Sequence, residues 1–169
     1  MKKALLVSLL SLAAVSAQAQ SMYGDVAYQM FDTDLATDPA AIRGIVGYQF
    51  NPNLAGELVL GTGIRDGKDS SFGVPAKVKL DRMVGVYAKS SFKVNDSFEL
   101  YGRLGYVNYK ATASTSAGGF SARESDSGSD VSFGIGGSYY ITPKMSINVD
   151  YMDFGDLEGG LAVGLKFAF

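Results

Sequence analysis

The sequence predicts an all-β protein: an eight-stranded antiparallel up-and-down transmembrane β-barrel. Three observations carry this. Eight segments alternate apolar and polar residues with the period of two that puts neighbouring side chains on opposite faces of a strand. The connections between them alternate short and long. The 169 residues hold 21 glycines, 10 tyrosines and 10 phenylalanines but no cysteine, tryptophan or histidine, a composition suited to short strands with small and aromatic residues.

The chain opens "MKKALLVSLLSLAAVSAQAQS", where Lys2 and Lys3 precede an apolar run over residues 4–14 and the small-residue site Ala17-Gln18-Ala19. This is the pattern of a secretory signal peptide over residues 1–19, cleaved after Ala19. A membrane helix is the alternative, but the run falls short of the roughly 20 residues a span requires. Residues 20–169 form the expected barrel domain. Removing Lys2 and Lys3 leaves 13 basic against 17 acidic residues, a charge of −4, so no nucleic-acid partner is expected. The absence of cysteine excludes disulfides and a lipid-modified cysteine anchor.

In "MYGDVAYQM" Met22, Val26, Tyr28 and Met30 face one way, with Tyr23, Asp25, Ala27 and Gln29 opposite. "IRGIVGYQF" sets Ile42, Val46, Tyr48 and Phe50 against Arg43 and Gln49. The turn Asn51-Pro52-Asn53 leads into "LAGELVLGTGI", with Leu54, Leu58, Leu60 and Ile64 opposite Glu57. Over residues 77–93, Val78, Leu80, Val84, Val86, Ala88 and Phe92 share a face. Lys79, Asp81, Tyr87, Lys89 and Ser91 share the other, and Arg82 is an exception placed at the far rim. "FELYGRLGYVNY" alternates Phe98, Leu100, Leu104 and Tyr106 with Glu99, Tyr101, Arg103, Val107 and Tyr109. "VSFGIGGSYYI" sets Val131, Phe133, Ile135, Tyr139 and Ile141 against Ser132, Gly134, Gly136, Ser138 and Tyr140. "MSINVDYM" sets Met145, Ile147, Val149 and Tyr151 against Ser146, Asn148 and Asp150. The final "GLAVGLKFAF" sets Leu161, Val163, Leu165, Phe167 and Phe169 against small residues and Lys166.

Connections after the second, fourth and sixth segments are short turns around Pro52, Asp96 and Pro143. Those after the first, third and fifth are longer and polar: "DTDLATDPA", "RDGKDSSFGVPA" and "ATASTSAGGFSARESDSGSD". Short turns on one rim and long loops on the other are the layout of outer-membrane barrels, with the turns in the periplasm. Alternation alone leaves open which face is inside. Three features favour lipid on the apolar side: its bulk against an opposite face of Gly, Ala and Ser with occasional charges, aromatics gathered near segment ends, and an export signal without a helical span.

The "LYGRLGYVNY" strand, the "DYMDFGD" segment and the terminal "GLKFAF" resemble the small eight-stranded outer-membrane β-barrel family of opacity proteins and OmpA-like transmembrane barrels of the porin family. The resemblance covers essentially residues 20–169. It implies the outer membrane of a Gram-negative bacterium, contact with its lipid, and insertion by a barrel-assembly machinery. Val163, Leu165, Phe167 and Phe169 resemble the family's C-terminal assembly signal. With the chain ending at the barrel, no peptidoglycan-binding domain is expected.

Among polar-face residues, Arg43, Glu57, Glu99 and Arg103 are the expected interior network, since a narrow lumen leaves charges no partner but each other. Carboxylates there could serve acid–base chemistry, but without histidine a histidine-dependent hydrolytic or acyl-transfer triad is excluded; a membrane enzyme using serine with lysine or aspartate is the remote alternative, and no enzyme is expected. Asp32, Asp34 and Asp38, and Glu124, Asp126 and Asp130, lack the twelve-residue calcium-loop pattern. No metal or cofactor is expected. Phe72 and Phe120, isolated in polar loops, are candidates for recognising host or surface ligands, with packing onto the barrel rim as the competing and favoured reading. The expected role is a structural barrel whose external loops serve recognition, adhesion or membrane integrity, with a small gated pore as the competing reading.

Overall fold

The computed structural model describes residues 21–33, 35–69, 76–117 and 120–169. Residues 1–20, including the expected cleavage position at Ala19, and Phe72 lie outside the described residues, as does the side chain of Phe120.

The strands are β1 (Ser21–Phe31), β2 (Ala40–Asn51), β3 (Leu54–Arg65), β4 (Gly67–Asp69), β5 (Ala76–Lys93), β6 (Phe98–Ala117), β7 (Phe120–Thr142), β8 (Met145–Asp153) and β9 (Gly159–Ala168). β4 continues β3 along the same neighbour, since β3 and β4 both pair with β5. The wall therefore has eight staves. Each pairs antiparallel with its neighbours in sequence, and β1 pairs with β9 to close the cylinder. Closure satisfies the backbone groups that an open sheet edge would expose to lipid.

The apolar face is outside. Val26, Val46, Leu58, Val86, Leu104, Ile135, Val149 and Val163 are all exposed, and Ile135 reaches 72%. Asp25, Arg43, Glu57, Lys89, Glu99, Arg103 and Asp150 are all buried within the cylinder. This inverts the arrangement of a water-soluble barrel. Outward aromatics include Phe50, Phe92, Phe98, Tyr139 and Phe167 toward the end with short turns, with Tyr106 and Tyr151 further up their strands. Phe98 and Tyr106 are eight residues apart on β6. At about 3.3 Å per residue and a tilt of about 40°, they bracket roughly 20 Å of membrane, near the ~25 Å apolar band of such barrels. Both described termini lie at the short-turn end, where Phe169 N donates to Met22 O at 2.9 Å.

Two segments depart from the expected pattern. Leu80, expected on the lipid face with Val84, is 4% exposed and points inward. The register shifts between Leu80 and Arg82, so Asp81 is an extra residue that reverses the alternation above it. Lys79, expected on the polar interior face, is consequently exposed, while Arg82 keeps an outward position. The second departure concerns residues 111–130, expected as a long loop. Of these, residues 111–117 and 120–130 extend β6 and β7 in continuous register, from Ala111↔Asp126 to Ala117↔Phe120. Thr112 and Thr115 favour the extended backbone, and Thr112 Oγ1 lies 2.9 Å from Ser125 Oγ across the ladder.

Small residues shape the interior. A Cβ on Gly136 would sit 2.5 Å from Asp150 Cβ and 2.7 Å from the Tyr101 ring, so only glycine lets these two inward groups approach β7. Gly47 and Gly105 are covered in the same manner by the rings of Tyr23 and Tyr87.

Candidate functional site: the barrel interior and its two mouths

Inward positions on non-adjacent strands meet across the lumen, so the period of two converts scattered charges into a single lattice. Arg103 on β6 donates through Nε to Glu57 Oε2 on β3 at 2.6 Å, and through Nη2 to Oε1 at 3.4 Å. Its Nη1 donates to Asp150 Oδ2 on β8 at 2.8 Å. Arg43 on β2 donates to the same oxygen at 2.8 Å and to Gln29 Oε1 at 3.0 Å. The Tyr23 hydroxyl donates to Glu57 at 2.5 Å, and the Tyr101 hydroxyl donates to Asp150 at 3.0 Å. Asn148 donates to Asp25 beside this group. Taking charges this deep out of water is costly, and multiple charge-assisted hydrogen bonds are what offset it.

Glu99 belongs to a second cluster, nearer the short-turn end. Its Oε1 accepts from Lys89 Nζ at 3.1 Å and from Lys166 Nζ at 3.3 Å. Its Oε2 accepts from the Tyr140 hydroxyl at 2.8 Å, and Lys166 also donates to that hydroxyl's oxygen at 3.0 Å. Lys89 Nζ further lies 4.3 Å from the centre of the Tyr101 ring.

Of the four residues expected to form a network, the structure brings Arg43, Arg103 and Glu57 together through Asp150 and places Glu99 with the lysines. Asp150, Lys89 and Lys166 were visible in the sequence as polar-face residues, but parity along a strand does not say which distant strand a side chain meets. Among the described residues, no group of three or more acidic side chains could hold a metal ion.

Toward the long-loop end the interior turns apolar. Phe31, Ile45, Val59, Leu80, Met83, Tyr87, Val107, Tyr109, Met152 and Phe154 form one buried cluster, with the rings of Phe31 and Phe154 5.8 Å apart. Lattice and cluster together occupy the lumen with side chains from its middle to the long-loop end, in line with an eight-stranded wall. Val163, Leu165 and Phe167 face outward on β9, and Phe169 is 77% exposed at its end.

The comparisons agree with this architecture. The chain is 27% identical over 169 residues to outer membrane protein A of Salmonella typhi, covering 88% of this chain and 45% of that protein. It thus spans less than half the length of this curated relative. Its fold is similar to that of Ail, the attachment invasion locus protein of Yersinia pestis, with 22% identity, a TM-score of 0.59, and 89% of this chain and 97% of that one covered. It is also similar to Neisserial surface protein A, with 19% identity, a TM-score of 0.53 and the same coverage. The family described as "Outer membrane protein beta-barrel domain" matches residues 4–169. With its closed wall, apolar exterior and charged interior, the chain belongs to this family of outer-membrane β-barrels.

Proposed function

We propose that this chain is a structural outer-membrane barrel whose externally exposed strands and loops recognise ligands at the cell surface. The observation carrying this reading is the cross-braced lumen. The Glu57–Arg103–Asp150–Arg43 lattice crosses the interior, and the apolar cluster lies beyond it toward the loops. A wall braced in this way supports a scaffold. Glu57, Glu99 and Asp150 are each held by cations, which supports a structural role for them over acid–base chemistry. Residues 1–19 serve, in this reading, as the export signal removed after Ala19, and Val163, Leu165, Phe167 and Phe169 as the mark read by the assembly machinery.

The Yersinia pestis Ail structure is of a complex with the heparin analogue sucrose octasulfate. Here the long-loop side presents Lys77, Lys79, Arg82 and Arg123 outward, all exposed, with Lys110 directly opposite Arg82. Such a basic strip supports binding of sulfated glycans at the surface. Retention of the folded protein on immobilised heparin, lost with rising salt and lost in a Lys79→Gln/Arg82→Gln/Lys110→Gln variant, is the expected result. Passage of the native protein through the column at low salt would rule the glycan reading out. Planar-bilayer recording addresses the competing pore reading: a steady discrete conductance from pure refolded protein would favour it over the scaffold.

A further inference from the structure

The short-turn mouth of the lumen is a chamber of about 160 Å³, room for about five waters at ~30 Å³ each. Four lysines line it, Lys89, Lys93, Lys144 and Lys166, against the single carboxylate of Glu99. Lys89 and Lys166 are buried, at 4% and 8% exposure, yet both rely on the same oxygen, Glu99 Oε1. An ammonium has three donors. Lys89 uses one of its three on Glu99 and packs its ammonium 4.3 Å from the Tyr101 ring centre, and Lys166 uses two, on Glu99 and the Tyr140 hydroxyl, 4.8 Å from that ring's centre. Two buried cations thus share one anion, with two more lysines at the rim, where Lys93 Nζ lies 5.8 Å from the Tyr140 ring centre.

The adjoining wall adds a second, independent observation. Ser138 stands across the ladder from Glu99, and Ser146 from both Lys166 and Tyr140. Both serines are buried, at 1% and 0% exposure, and neither hydroxyl has a hydrogen-bond partner. Spare ammonium donors and a surplus of positive charge around one small water-accessible space, with unpartnered hydroxyls on the strands beside it but not in its lining, have a common chemical complement. It is a compact oxyanion with several acceptor oxygens.

We propose that the short-turn mouth of the barrel is a binding site for a phosphate-class oxyanion, held by Lys89 and Lys166 and drawn in by Lys93 and Lys144. The site faces the periplasm by the orientation rule for such barrels. The anion supplies the charge that Glu99 alone does not. The lattice built around Arg103 lies further into the lumen, beyond Tyr23 and Lys89.

The test is calorimetric titration of inorganic phosphate into folded protein in alkyl glucoside micelles, with ionic strength held constant by chloride. Saturable one-to-one binding around the millimolar range is expected. It should weaken at least tenfold in Lys89→Gln and severalfold in Lys93→Gln/Lys144→Gln. Those rim lysines are exposed, so the double variant keeps the wall intact and decides the matter if Lys89→Gln does not fold. Lys68→Gln, exposed at the other end on β4, should bind as the native protein does. Repeating the titration in phospholipid nanodiscs identifies the source: unchanged binding assigns the chamber to a free oxyanion, and lost binding assigns it to a lipid headgroup phosphate. Absence of saturable uptake, or uptake indifferent to the rim substitutions, would overturn the proposal.

Discussion

Arg103 on β6 and Glu57 on β3 meet across the lumen at 2.6 Å, although their strands are separated in the wall by β5. Their contact is a transverse brace that the backbone ladder cannot supply. Arg103 also reaches Asp150 on β8, so one guanidinium ties three staves together.

Breaking this brace on one side should be expensive. Glu57→Gln leaves Arg103 with Asp150 alone, and removing one partner of a buried pair costs about 3–5 kcal/mol. The double variant Glu57→Leu/Arg103→Met, which removes both charges at similar volume, should recover much of that loss. The chain has no tryptophan, so urea titrations in lipid are best followed by circular dichroism or heat-modifiable gel migration. Equal losses in the single and double variants would contradict a brace made by this pair.

Orientation can be tested from both faces. Val149 and Val163 are opposite each other on β8 and β9, each about half exposed toward lipid. Arginine at either should cost roughly 2–4 kcal/mol, with a penalty that depends on depth in the bilayer. Gly136→Ala acts by another route, because its Cβ would press on Asp150 and the Tyr101 ring. It should destabilise by about 1–3 kcal/mol through overpacking, whatever the bilayer thickness. A shared dependence on lipid thickness at the two faces would refute the assignment.

Phe169 separates folding from assembly. It is 77% exposed and contributes mainly a backbone bond to Met22. Phe169→Ser should change stability after refolding in vitro by no more than about 0.5 kcal/mol, as for other surface positions. In cells it should lower the yield of inserted barrel severalfold, measured by gel migration of outer-membrane fractions. Full insertion of the variant in cells would remove the terminal residue from the assembly signal.

The β6–β7 hairpin beyond the barrel should be dispensable for folding. Deleting residues 113–124 removes paired residues that lie beyond the buried cluster. The shortened chain should refold with unchanged heat-modifiable migration and lose any surface binding carried by the hairpin. Failure to refold would mean that this extension nucleates or stabilises the wall.

The sequence by itself determined the strand count, the alternation of turns and loops, and the face on which each side chain stands along most of every strand. It could do so because a period of two is a local property, written in neighbouring residues. The resemblance of "LYGRLGYVNY" and the terminal "GLKFAF" to small outer-membrane barrels pointed to the family that the comparison then showed. Locality is also where the reading stopped. The extra residue at Asp81 turned Leu80 inward, because a bulge depends on the partner strand. The hairpin over residues 111–130 looked like a loop, since polar residues form a strand when a second strand satisfies their backbone.

Only the tertiary structure decided which charges meet. Arg43, Glu57, Glu99 and Arg103 all stand on the polar face, but closure and stagger of the wall bring Arg43 and Arg103 to Asp150 and leave Glu99 between Lys89 and Lys166. A strand's sequence sets the face a side chain takes. The partner it finds across the lumen depends on the register of all eight staves together, a property of the closed cylinder that no single segment contains.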